Sequence, residues 1–104
     1  MTVCDATKGA VVDLTRSPAV EFAARGIRVD AVAPSPTSTD ATADIPAEDV
    51  AGFLRRIPVG RAAEPAEATD VIAFLAGPDA RFVTGVVLPI DGGLRAGSGR
   101  PPHR

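Results

Sequence analysis

Ala10, Val11, Leu14, Pro18 and Phe22 recur at three- or four-residue steps, a spacing that puts them on one apolar face and predicts a helix beginning at Asp5. Asp5 is a capping residue, Gly26 is a C-terminal stop, and Arg25 in the last turn suits the helix dipole. Pro18 lies inside this pattern. A proline there lacks a hydrogen-bond donor and clashes with the carbonyl four residues earlier, at about 3 kcal/mol or more, so the helix is expected to kink or break near Leu14. Ile27 to Ala33 then reads as a strand, apolar on both faces except at Arg28 and Asp30. Such a run fits a parallel strand covered by helices on both sides.

Pro34 to Asp44 is a long polar loop, and Ile45-Pro46 introduces a helix over about Ala47–Arg56 with Val50, Phe53, Leu54 and Ile57 as its apolar stripe. Pro58-Val59-Gly60-Arg61 interrupts the pattern. Glu64-Pro65-Ala66-Glu67 opens a third helix, on which Ala68, Val71, Ile72 and Leu75 fall at helical spacing, and Gly77-Pro78 ends it. A second strand, Val86-Val87-Leu88-Pro89-Ile90, runs into Asp91-Gly92-Gly93, which is a turn signal. Pro89 cannot donate to a ladder, which places this strand at a sheet edge. Two strands alternating with three helices indicate α/β architecture. Two strands are too few for an independent parallel sheet, so the pattern describes part of a larger fold.

Composition narrows the function classes. The 104 residues carry a formal net charge of -2, which gives no electrostatic case for nucleic acid. One cysteine excludes an intrachain disulfide, and no Cys/His cluster has metal-ligand spacing, so no metal is expected. There is no apolar run near the length of a membrane span and no signal peptide. These features fit a cytoplasmic protein with no membrane role. The Gly-, Pro- and Arg-containing residues 95–104 are expected to form a disordered tail, which leaves 1–94 as the folded part.

Six segments then carry a resemblance. Thr7-Lys8-Gly9-Ala10-Val11, Ile27-Arg28-Val29-Asp30-Ala31-Val32-Ala33-Pro34, Pro58-Val59-Gly60-Arg61, Pro65-Ala66-Glu67, Val83-Thr84-Gly85 and Asp91-Gly92-Gly93 occur in this order. Together they resemble the carboxyl-terminal portion of the short-chain dehydrogenase/reductase family, over nearly everything from Asp5 to Leu94. The resemblance implies a partial Rossmann-like, doubly wound fold and an oxidoreductase ancestry. That chemistry is hydride transfer between NAD or NADP and a small-molecule alcohol or carbonyl substrate. It also implies a homo-oligomer, because in the family the helix matched by Asp5–Arg25 lies in a subunit interface.

The resemblance assigns roles residue by residue. Lys8 matches the lysine of the family's Tyr-x-x-x-Lys motif, which bonds the nicotinamide ribose and lowers the tyrosine pKa by placing positive charge beside the phenolate. Cys4 stands where that tyrosine belongs, and the sequence contains no tyrosine. Lys8 is therefore a vestigial catalytic residue. Pro34 and Ser35 match the segment whose backbone meets the nicotinamide carboxamide, with Thr37 supplying a backbone contact and Thr39 a hydroxyl. Ser35 replaces the usual glycine, and Asp30 the usual asparagine, adding a charge that must be solvated or paired. Thr39 to Ile57 matches the substrate lid. No Gly-x-x-x-Gly-x-Gly precedes a helix, and no catalytic serine precedes Cys4. The expected outcome is a truncated oxidoreductase that is inactive alone. The alternative is a non-catalytic self-association or interaction module derived from that fold.

Overall fold

The structure, a computed structural model, describes residues 2–35 and 46–97, with side chains from Gly9 onward. Three helices, α1 (Thr2–Phe22), α2 (Ala47–Leu54) and α3 (Pro65–Ala76), alternate with two strands, β1 (Ala31–Pro34) and β2 (Val87–Ile90). Short 3-10 turns at Ala23–Arg25 and Pro78–Ala80 follow α1 and α3. The strands pair in parallel: the Ala31 N–H donates to the Val86 carbonyl (2.9 Å) and the Ser35 N–H to the Ile90 carbonyl (3.0 Å). The order of elements is that of an α/β fold. The chain divides into two compact units, Met1–Val32 with Ile72–Leu88 and Ala33–Val71 with Pro89–Arg104.

In the first unit, α1 is one continuous helix that contains Pro18, so of the expected kink or break the break does not occur. The bond that Pro18 cannot donate falls on the turn of Leu14, which is 71% exposed. The inward face is also different from the expected one. Thr15 and Ala19 are buried, at 5% and 2% exposure, while Val11 and Leu14 are exposed. Small side chains are what this face requires. A Cβ on Gly85 would sit 3.4 Å from the Ala19 Cβ, so α1 meets the entry to β2 at ordinary van der Waals contact. Thr15 tolerates burial because its hydroxyl donates to the Val11 carbonyl at 2.7 Å. Gly26 takes the left-handed conformation (φ 74°) and its N–H donates to the Ala23 carbonyl, so it ends the helical segment as its sequence position predicts.

The strands are shorter than their apolar runs. β1 starts at Ala31 rather than Ile27, and β2 at Val87 rather than Val86. Ahead of β1, backbone and side chains share the pairing: the Gly85 N–H donates to the Val29 carbonyl (2.8 Å), the Val29 N–H to Thr84 Oγ1 (3.1 Å) and the Val86 N–H to Asp30 Oδ1 (3.0 Å). α2 ends at Leu54, two residues before the expected Arg56.

In the second unit, Ile57 is almost wholly buried. The turn that contains it lies against the Asp91–Gly93 turn, with the Val59 N–H donating to the Gly92 carbonyl at 3.1 Å. Asp91 is buried, and its carboxylate accepts the N–H groups of Gly93 and Arg95, both at 3.1 Å. α3 begins at Pro65, a residue suited to the first helical position. Its start is closed by Glu67, whose carboxylate accepts the Glu64 N–H at 2.9 Å.

Candidate functional site

In open α/β sheets, ligands gather beyond the carboxyl ends of the strands. Here that place is the end of β1, where Pro34 is exposed and Ser35 half-buried. The Ser35 N–H is committed to Ile90, so the strand end is held by β2 while Pro34 faces outward. Lys8 lies on α1, in the first unit, and Pro34 and Ser35 belong to the second. Thr37 and Thr39 fall outside the described residues, as does most of the loop they sit in. Cys4 is part of α1. Of the residues assigned to the cofactor, Pro34 ends β1 and Ser35 follows it, bonded to Ile90.

The charge that Asp30 introduces is paired. Its carboxylate, only 7% exposed, lies 3.4 Å from Arg28 Nη1. Arg28 is itself anchored, donating to the Val83 carbonyl (3.1 Å) and the Gly77 carbonyl (3.3 Å). Sequence reasoning singled out Asp30 but not Arg28 and Thr84 as its fellow clamps. Their partners lie 49 to 56 residues away, and no local pattern reports such pairs.

A cleft of about 570 Å³ opens in the first unit, between Arg28, Asp30 and Val32 on one side and Ile72, Leu75 and Ala76 of α3 on the other. Its polar groups are already engaged: Arg28 with backbone carbonyls and Asp30 with Arg28 and Val86. The chemistry assigned to the strand end does not extend into it, since neither Pro34 nor Ser35 lines it.

On the exposed surface, Arg61 forks onto Glu67 with bonds of 2.6 and 2.9 Å. The Arg61 hydrogen bonds, with the Glu64 N–H, bring the Glu67 carboxyl down to about 2. The same hydrogen bond and the Glu67 charge raise Arg61. This pair closes the start of α3. Among the described residues, no group of three or more His, Cys, Asp and Glu is placed to hold a metal, and no helix is long and apolar enough to cross a membrane.

The family model described as enoyl-(acyl carrier protein) reductase matches residues 1–95. The chain belongs to the short-chain dehydrogenase/reductase family. It is 47% identical over 96 residues to a meso-2,3-butanediol dehydrogenase of Serratia marcescens, which covers 92% of this chain and 38% of that protein. It is 50% identical over 91 residues to a cis-4-hydroxycyclohexanecarboxylate dehydrogenase of Sinomonas cyclohexanicum, covering 88% and 36%. The crystal structure of a 3-oxoacyl-[acyl-carrier protein] reductase from Brucella melitensis matches with a TM-score of 0.82 and 36% identity, over 86% of this chain and 33% of that one. The short-chain dehydrogenase/reductase chain thus spans well under half the length of these relatives, and its fold matches part of the Brucella melitensis reductase.

Proposed function

We propose that this chain supplies the carboxyl-terminal part of an NAD(P)-dependent oxidoreductase acting on a small alcohol or carbonyl compound, and that alone it does not catalyse hydride transfer. Family membership supports the oxidoreductase ancestry. The observation that carries the second half is the absence of any tyrosine from the sequence. Without a phenol, Lys8 has no group whose pKa it can lower. The nicotinamide cofactor, when bound, would give or take the hydride; Pro34 and Ser35 would offer it backbone at the end of β1, and Thr37 and Thr39 follow in sequence. The Ser35 N–H is already donated to Ile90, so this residue orients the strand end rather than donating to a ligand through that group.

The test is an assay of the purified 104-residue protein for NAD(P)H-dependent carbonyl reduction. No turnover is expected, and measurable turnover would overturn the proposal.

A second reading, a self-association or interaction module, is favoured by one observation. Leu14, Val20 and Phe82 are large apolar residues at 71%, 81% and 101% exposure, side chains that a partner could cover. Size-exclusion chromatography and a thermal melt with and without NAD(P)H separate the readings. A monodisperse oligomer with no cofactor shift supports the module; a cofactor-induced rise in Tm supports the residual site.

A further inference from the structure

We propose that Asp30 is a positioning residue whose buried carboxylate fixes the register of β1 against β2, and so sets where Pro34 and Ser35 stand along the ladder. The functional half of this inference rests on the reading of that strand end as the nicotinamide side of a dinucleotide site.

Each strand has four residues, and ahead of β1 the backbone adds the Gly85 N–H to Val29 carbonyl bond at 2.8 Å, so a side-chain bond is a large share of the pairing. Val86 is held at both of its polar groups by successive residues of the facing segment. Its carbonyl accepts the Ala31 N–H at 2.9 Å, and its N–H donates to Asp30 Oδ1 at 3.0 Å. The two bonds are satisfied together at one offset only. A slip of one residue would break both and turn every β1 side chain to the opposite face. The offset they select, Ala31 with Val86, recurs at the far end as Ser35 with Ile90.

The carboxylate is kept from swinging away by Arg28, whose guanidinium is tied to the carbonyls of Val83 and Gly77. What Val86 needs is an acceptor oxygen, which an aspartate and the asparagine usual in the family both provide. The negative charge is a local addition that Arg28 neutralises. The acceptor sets the register.

Hydrogen–deuterium exchange of the isotope-labelled protein tests this at the Val86 and Ser35 amides. Asp30→Asn keeps the acceptor and is expected to leave both amides as protected as in the parent. Asp30→Ala removes it and is expected to speed exchange at Val86 about tenfold or more, with a matching loss at Ser35. Thr84→Val, which leaves Asp30 in place, is expected to expose Val29 and not Ser35. Unchanged Ser35 exchange in Asp30→Ala overturns the proposal, as does loss of Val86 protection in Asp30→Asn. Should Asp30→Ala fail to fold, Asp30→Asn alone decides, because retained protection is required of it. Titration with NAD⁺, followed at the Ser35 amide, is expected to perturb the parent and Asp30→Asn alike. No response in the parent would sink the cofactor reading while exchange still judges the register.

Discussion

At Gly92 the backbone turns with φ of +60°, and a Cβ built there would stand 2.7 Å from Ile57 Cγ2 and 3.2 Å from the Val59 Cβ. Both the conformation and the space exclude a side chain. Gly92→Ala is therefore expected to destabilise the protein by about 2 kcal/mol or more, from overpacking and backbone strain together, read as a lowered urea midpoint. Glu67 makes a different kind of prediction. Its carboxyl is held at about 2 when folded, against an ordinary value of 4.5. A folded value below the unfolded one means that the stabilisation is complete above about 4.5 and is lost as pH falls through about 2. Urea melts over this range should show the parent losing stability on acidification, and Glu67→Gln should flatten that slope. Because the pair is exposed, raised salt should flatten it too. Glu64-Pro65-Ala66-Glu67 marked the start of α3 in the sequence, since the signal is local, though not the bond by which Glu67 closes it. Its fork with Arg61, six residues away, depends on how the chain turns at Gly60 and was not readable there.

The elements divide by how local their causes are. α3 was legible almost to the residue, because proline at its first position, glutamate in its first turn and Gly77 after its last lie within the segment itself. The limits of β1 were not. Apolar character runs from Ile27, yet the regular strand starts at Ala31, because ahead of it the Gly85 N–H bonds Val29 while the Thr84 and Asp30 side chains take the Val29 and Val86 N–H groups. α1 was legible as a helix but its inward face was misjudged. Apolar spacing chose Val11 and Leu14, whereas the buried residues are Thr15, which bonds the Val11 carbonyl, and Ala19, which lies beside Gly85. The intact α1 still lacks the hydrogen bond that Pro18 cannot make. Pro18→Ala is expected to restore it and raise stability by about 1–3 kcal/mol, less whatever packing the half-buried ring provides. Urea unfolding followed by far-ultraviolet circular dichroism checks both the stability and the gain in helix signal.

For the molecule as a whole, family membership was legible from six short segments in order, while no single segment would have sufficed. The candidate site was legible at Pro34 and Ser35 as a strand end, and Thr37 and Thr39 lie outside the described residues. The exposed apolar residues were not foreseen, since exposure depends on what the rest of the chain covers. Leu14→Lys combined with Phe82→Lys is expected to leave stability within about 0.5 kcal/mol, because neither side chain is buried. Under the interaction-module reading, the same pair shifts size-exclusion elution toward the monomer. The parallel pairing has one more consequence, which concerns the order in which the protein is made. Among the described residues, β1 and the residues just ahead of it pair with Val83, Thr84, Val86 and Ile90, about 55 positions later. Closing so long a loop must precede the contacts that reward it. During synthesis, Ile27 to Pro34 waits unpaired while the whole of α2 and α3 is made. The strand that ends at the candidate site is expected to gain this pairing only after α3 has been made.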